Sequence, residues 1–303
     1  MEQYVDGVYP STCVAYEGEE KRFAVYILSH GRADDLKTAV MLKKFGYTGD
    51  WFIVIDDEDS QESLYREKFG DRVIQFCKKD IADRTDTGDT DTDRRVGVFA
   101  RNKIQEFANE MGYKYHLQLD DDFTGIKIRY QDGIALKSKD CTDLDRLFNI
   151  LCDYMDRAPK IKWLSLSLSS YYVGGLQNKH WKMRLLPKCM GSFLMRRDSP
   201  VWFRMRMNDD ITTTIMEWSK GNPCFSIIDL HVQTPATQTQ AGGMTDIYQD
   251  NGTYRKSFYS VMCCPSFVVV GKQGISSYRI HHRIDWDHCT PMILNEKWKK
   301  KNV

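Results

Sequence analysis

The chain has 303 residues, with 43 Lys and Arg against 42 Asp and Glu and a formal net charge of +1. That balance excludes a protein that holds polyanions through a surplus of cations over its whole surface, so any nucleic-acid site has to be a local patch. Hydrophobic residues at 42%, charged residues at 28% and only 8 prolines exclude a disordered chain and allow a sizeable core.

Residues 1–21 read as an extension ahead of one folded unit, 22–303, whose halves, 22–135 and 136–303, differ in pattern. Met1 to Pro10 carries Glu2 and Asp6 and no basic-then-apolar run, which speaks against a secretory signal. Residues 22–29 (RFAVYILS) are a β-rich run, followed by the turn His30-Gly31-Arg32 and by 33–45, where Leu36, Val40 and Phe45 recur at helical spacing. Gly46 and Gly49 end that helix, and 51–55 (WFIVI) is a second strand running into the acids 56–59. A helix over 63–69, a strand over 72–77, a long helix over 96–111 and a strand over 115–119 continue the alternation. The pattern predicts an α/β protein with a parallel, doubly wound sheet. Residues 80–95 (DIADRTDTGDTDTDRR) have no apolar face and are expected to form a mobile surface loop, a solvated linker or a lid over a ligand.

In the second half, 143–157 is an amphipathic helix, 163–170 (WLSLSLSS) a half-buried strand and 189–195 (CMGSFLM) a strand with a glycine inside it. Asn208-Asp209-Asp210 precedes a helix over 211–220, and 225–232, 266–271 and 277–283 are further strands. The longest apolar stretch, 258–271, is broken by Pro265 and too short to span a bilayer, so a soluble protein is expected. Nine scattered cysteines with no Cys-x-x-Cys pair argue against structural zinc and fit a reducing, cytoplasmic compartment; Cys263-Cys264 reads as a packed strand end.

Asp120-Asp121-Asp122, directly after the apolar strand, are the most informative residues. A strand ending in carboxylates delivers them to the sheet edge where open α/β folds bind ligands. Alternation puts Asp120 and Asp122 on one side and Asp121 on the other, and a shared Mg²⁺ or Mn²⁺ would relieve their repulsion while holding a phosphate ligand. The alternative is a solvated acidic turn.

Asp120-x-Asp122 in this setting resembles the Asp-x-Asp motif of glycosyltransferases of the GT-A fold, with the opening β-α unit and Ala100-Arg101-Asn102 as further points of likeness. The resemblance implies a Rossmann-like single domain with a mixed, mostly parallel central sheet flanked by helices. It implies a nucleotide-sugar donor, such as a UDP-sugar, whose nucleotide meets Asp57, Glu58, Asp120 and Asp121. Asp122 and Asp120 would hold Mn²⁺ or Mg²⁺ against the diphosphate, with one late histidine as third ligand. Of His281-His282, strand alternation lets at most one reach the ion, and His282 is the choice. Arg32, in a strand-to-helix turn whose amides favour anions, and Arg101 would face the departing diphosphate. An inverting member needs a base at the start of a helix in the second half, which makes Asp210 the candidate and Asp209 its understudy; plain helix capping is the other reading of that trio.

The segment 179–206 holds Lys179, Lys182, Arg184, Lys188, Arg196, Arg197, Arg204 and Arg206 against the single acid Asp198, with Trp181, Phe193, Trp202 and Phe203 among them. Cations among aromatics suit nucleic acid, and a solvated basic face is the alternative. Lys297 to Lys301 adds a basic tail. Residues 237–265, with Gly242-Gly243 and the Tyr254 to Ser257 pattern, are similar to the TET-associated glycosyltransferases of bacteriophages. That likeness implies a hydroxymethylated pyrimidine in phage DNA as acceptor, the host cytoplasm as location, and Lys256 as a phosphate partner. A metal-dependent nucleotidyltransferase and a non-catalytic nucleic-acid-binding module are the rival readings.

Overall fold

The computed structural model describes residues 18–172, 175–235, 255–273 and 279–289. Strands β1 (Lys21–Leu28), β2 (Asp50–Asp56), β3 (Val73–Phe76) and β4 (Tyr113–Asp120) lie in the order β3-β2-β1-β4, all parallel. Helices α1 (Lys37–Lys44), α2 (Glu62–Phe69), α3 (Lys78–Ala82) and α4 (Val98–Glu110) connect them. Ala24 to Ile27 are fully buried, because a central parallel strand is covered on both faces. Their alternation splits the core in two. Val25 and Ile27 join Leu117, Leu119 and Phe148 on one face, while Ala24 and Tyr26 join Val54, Phe99 and Phe193 on the other.

The second half adds β5 (Gly125–Asp132), β6 (Ala135–Asp140), α5 (Leu144–Arg157), β7 (Trp163–Leu168), α6 (Lys179–Met183), β8 (Leu185–Leu186), β9 (Ser192–Arg196), α7 (Asp209–Ser219) and β10 (Cys224–Gln233). The sheet continues β4-β9-β7-β10-β5-β6, with β8 beside β10. Strand β9 is antiparallel to both β4 and β7, so it joins the two halves. β5, β8 and β9 run against the direction shared by the other strands of this sheet. The mixed, mostly one-directional sheet flanked by helices is the α/β class that the sequence predicts. α8 (Arg255–Cys263) packs on a separate hairpin, β11 (Val268–Gln273) with β12 (Arg279–Ile284).

Three local expectations change. The β5–β6 hairpin was not legible, because 127–140 is mostly polar and forms an exposed sheet edge around a left-handed Gly133. Cys263 ends a helix rather than a strand. The acidic loop is anchored: Asp86 and Thr87 carbonyls accept the Met205 and Arg206 amides at 2.9 Å each. The buried Arg206 guanidinium grips Asp89 and the carbonyls of Asp91 and Asp93. Tyr259 also donates to Asp89, and Arg255 pairs with Asp91 at 3.2 Å. Glycine is favoured at position 88 because its φ of 76° lies in the left-handed region.

No helix among the described residues is long and apolar enough to cross a membrane. Met1 to Pro10, Gly242-Gly243, Tyr254 and the tail Lys297 to Lys301 lie outside the described residues.

Candidate functional site

The Asp triplet splays as strand alternation requires. Asp121 turns inward, where Ser29 Oγ at 2.7 Å and Arg32 Nη1 at 2.6 Å donate to its carboxylate. Tyr65 clamps the same corner, its hydroxyl 2.7 Å from Ser29 Oγ and accepting the Arg32 amide at 2.9 Å. Arg32 and Asp121 are therefore turned onto each other. Asp120 and the start of α1 are sewn together as well: Thr38 Oγ1 donates to the Asp120 carbonyl at 2.6 Å, and the Thr38 amide donates to the Asp121 carbonyl at 3.1 Å. That stitching starts α1 at Lys37, four residues later than its apolar spacing suggests.

Asp122 is half-buried and has no ion pair or side-chain hydrogen bond among the described residues. Burial, with Asp120 and Asp121 alongside, pushes its carboxyl up to about 6, and Arg32 only partly offsets this. Gly191 closes over the triplet. Its carbonyl accepts the Asp120 amide at 3.3 Å, and a Cβ there would lie 3.1 Å from Asp120 Oδ2.

Arg101 projects from the first turn of α4 with its side chain 8% exposed. Nη2 donates to Asp120 at 2.9 Å and Nε to Asp209 at 3.0 Å, while Nη1 is buried without a partner among the described residues. Two buried polar residues further along that helix, Asn102 and Gln105, place Asp209. Asn102 exchanges hydrogen bonds with the Phe203 amide and carbonyl at 2.7 and 3.0 Å, and Gln105 does the same with Val201. The grip fixes 201–203, the lead into α7.

α7 opens on Asn208, which sits in the left-handed region at φ 56° and does not cap the helix. Its amide donates instead to the Lys256 carbonyl at 2.8 Å and to His282 Nδ1 at 3.2 Å, tying α7 to α8 and β12. Such a conformation costs a non-glycine residue energy and persists only where contacts enforce it. Asp210 accepts the Ile211 amide at 2.7 Å. Burial raises both the Asp209 and Asp210 carboxyls, against the pull of Arg101 on each. The capping reading of Asn208 therefore fails, and Asp209 is occupied by Arg101 while Asp210 is the less committed carboxylate.

His282 is buried, 7% exposed, and its ring centre lies 4.3 Å from that of His281, so the two rings do not point to opposite faces as alternation predicts. His282 meets Asn208, and Lys188 and Lys256 are its charged neighbours. Burial pushes it down to about 3, so the ring is neutral. Among the described residues no three His, Cys, Asp or Glu side chains gather closely enough to hold an ion, so Asp120, Asp122 and His282 do not form one ligand set here.

Asp57 accepts the Lys78 amide at 2.8 Å, and Glu58 pairs with Arg94 Nε at 2.7 Å. The inner acid of that run is Asp56, 2.9 Å from His30 Nδ1 and 3.2 Å from the buried Lys78 ammonium. The resemblance covers the run Asp56 to Glu58, from which Asp57 and Glu58 are the residues chosen, whereas Asp56, the last residue of β2, is the one turned inward. Lys188 and Gly191 were likewise absorbed into longer patterns.

The segment 179–206 does not present one basic face. Arg196 is buried and donates to the Pro159 carbonyl at 2.9 Å, and Arg206 holds the acidic loop. Arg197 and Arg184 pair with Glu20 and Asp229 at 2.7 and 2.8 Å. Trp181, Phe193 and Phe203 are core residues. Lys182 is exposed.

Residues 23–243 match the family model described as TET-Associated Glycosyltransferase. No curated protein matches the chain. Among solved structures, S. aureus TarS 1-349 in complex with UDP is 11% identical, with a TM-score of 0.42 over 81% of this chain and 70% of that one. This chain spans 42% of a longer TarS chain. Glucosyl-3-phosphoglycerate synthase from Mycobacterium tuberculosis in complex with Mg²⁺ and UDP is 7% identical, with a TM-score of 0.47 over 87% of each chain.

Proposed function

The chain belongs to the TET-associated glycosyltransferase family and is a glycosyltransferase, and on that premise we propose its reaction. It moves a sugar from a nucleotide sugar, such as a UDP-sugar, to the hydroxymethyl group of a modified pyrimidine in DNA. Asp210 is the base, and Asp122 and Asp120 are the residues that would hold Mn²⁺ or Mg²⁺. The donor half is 22–135 and the acceptor half 136–303. One observation carries the reading: a single guanidinium, Arg101, binds the strand-end Asp120 and the helix-start Asp209. The carboxylates that a sugar transfer needs on its donor and acceptor sides thereby meet at one sheet edge.

Asp210 takes the proton of the acceptor hydroxyl. A carboxyl raised by burial is the stronger base, and Asp209, held by Arg101, keeps the start of α7 in place. A departing nucleoside diphosphate gains negative charge, and Arg101 supplies a fixed positive charge beside it. The ion, when bound, adds positive charge to the diphosphate. Asp122 fits such an ion, since its carboxylate is crowded by acids and has no cation of its own among the described residues. Two protein carboxylates suffice, because Mg²⁺ usually completes its shell with water and substrate phosphates. His282 then serves the acceptor side instead of the ion.

The test is mass spectrometry of a 5-hydroxymethylcytosine oligonucleotide incubated with the protein, Mn²⁺ and a panel of UDP-sugars. A hexose or pentose mass gain is expected. The reading fails if no nucleoside diphosphate binds with Mn²⁺ and Asp122→Ala behaves as wild type.

A further inference from the structure

Charge is unevenly spread along the chain. Residues 251–284 hold Arg255, Lys256, Lys272, Arg279 and Arg283 and no Asp or Glu, so in a protein of net charge +1 the remainder is net negative. Within that run β11 and β12 form an antiparallel ribbon outside the main sheet. One face of the ribbon is seated. Val268, 1% exposed, joins Ile211 and Ile215 of α7 in one apolar cluster, and His282 meets the Asn208 side chain at 3.2 Å. Asn208 directly precedes Asp209 and Asp210, so the ribbon abuts the start of α7 where those carboxylates stand. The other face is open: Val269, 58% exposed, is the register partner of Arg283. The Arg283 stem crosses Gly271, where a Cβ would lie 2.7 Å from its Cδ, and its exposed guanidinium has no ion pair or hydrogen bond among the described residues.

Duplex DNA fits such a face. Its major groove, about 12 Å wide, admits a two-stranded ribbon, and six residues of strand span about 20 Å along it. A cation on the ribbon finds phosphate, and an open apolar side chain finds the pyrimidine edge. We propose that the open face of β11–β12, through Arg283 and Val269, docks the acceptor duplex and holds it against the start of α7. The inference rests on DNA as the acceptor in the glycosyl-transfer reading. It gives that acceptor a place that 179–206 does not offer, since Arg184, Arg196, Arg197 and Arg206 are spent on internal partners. A basic ribbon with exposed apolar residues also suits an anionic membrane, and its position against Asn208, beside the carboxylates of the acceptor side, favours the duplex.

The experiment follows binding of a duplex carrying one 5-hydroxymethylcytosine by fluorescence anisotropy over a range of salt, for wild type, Arg283→Gln, Val269→Asp and Lys139→Gln. The last removes an exposed cation from β6, at the far edge of the main sheet. Arg283→Gln is expected to weaken binding about threefold or more and to reduce the salt slope by about one, as loss of one phosphate contact does. Val269→Asp sets a carboxylate against phosphate and should weaken binding about tenfold, and both variants should raise KM for the duplex. Lys139→Gln should bind as wild type, and all four proteins should melt alike because the changes are at exposed positions. Wild-type binding and salt slope in both ribbon variants overturn the assignment, as does an equal loss in Lys139→Gln. Wild type that binds phosphatidylserine vesicles and not the duplex overturns it in favour of a membrane. Sugar transfer to the duplex at wild-type KM by both ribbon variants sinks the ribbon and keeps the transfer reading. Duplex binding that depends on Arg283, with no sugar transferred, keeps the ribbon and sinks the reading of DNA as acceptor.

Discussion

Asp120 and Asp209 share one guanidinium, Arg101, which reaches them at 2.9 and 3.0 Å from separate nitrogens. Burial raises the Asp209 carboxyl, and Arg101 is the cation that opposes this. Arg101→Gln should therefore cost about 3 kcal/mol of stability by leaving partly buried charge unpaired, and should abolish transfer. Urea denaturation and turnover of the same preparation check both. A variant as stable and active as wild type would remove Arg101 from its bridging role.

Asp209 and Asp210 separate under conservative substitution. Asp210→Asn keeps the packing and removes the proposed base, so kcat should fall at least a hundredfold while UDP binding is unchanged. Asp209→Asn weakens the tie to Arg101 and should lower stability as well as rate. Because burial raises both carboxyls, the acid limb of the pH–rate profile should sit above the ordinary aspartate range and report the pair together. Activity is lost as pH falls through that raised value, since only the ionised carboxylate accepts a proton. Identical profiles and rates for the two variants would count against assigning the base to Asp210.

Acid sensitivity of the fold has its own source. His116 is 1% exposed, neither ring nitrogen has a partner among the described residues, and burial pushes it down to about 3. An unfolded histidine titrates near 6.5, so between about 6.5 and 3 the unfolded chain binds a proton that the native chain refuses. Stability falls as pH drops through that window, by a few kcal/mol at its lower end. His116→Phe, retaining a ring against Tyr26 6.2 Å away, should flatten the slope. Equilibrium unfolding at pH 7 and pH 5 measures it, and an unchanged slope would contradict the assignment.

The acidic loop offers another test. Arg206→Met leaves Asp89 without its main cation and frees the carbonyls of Asp91 and Asp93. A loss of about 3 kcal/mol and new protease cleavage within 86–95 are expected. Cleavage elsewhere, with 86–95 intact, would show that the loop holds without the arginine.

Much of the first half, through β4, was legible because its signals are local. Short apolar runs between helical patterns gave β1, β2 and β4 their places, and period-two alternation set Asp121 on the side opposite Asp120, as their separate partners, Ser29 and Arg32 for Asp121 and Arg101 for Asp120, bear out. The same alternation predicted that His281 and His282 point apart, whereas their ring centres are 4.3 Å apart, with His282 the more buried. What was lost depended on long-range pairing. The cations of 179–206 looked like a surface because charge in a sequence does not reveal its partner. Arg206 finds one 117 residues back in Asp89, and Arg196 finds backbone carbonyls instead of phosphates. Asp57 and Glu58 looked available, yet tertiary contacts gave them to Lys78 and Arg94 and put Asp56 inward.

The placement of β9 between β4 and β7 bears on how the protein is made. As the chain leaves the ribosome, the apolar edge of β4 emerges roughly 70 residues before the strand that covers it, which is several seconds at ~5–20 residues per second. An uncovered strand edge invites pairing with other chains. Nascent or truncated forms ending before Ser192 are thus expected to aggregate, and expression yield should respond to temperature and chaperone supply more than the finished enzyme's stability would suggest.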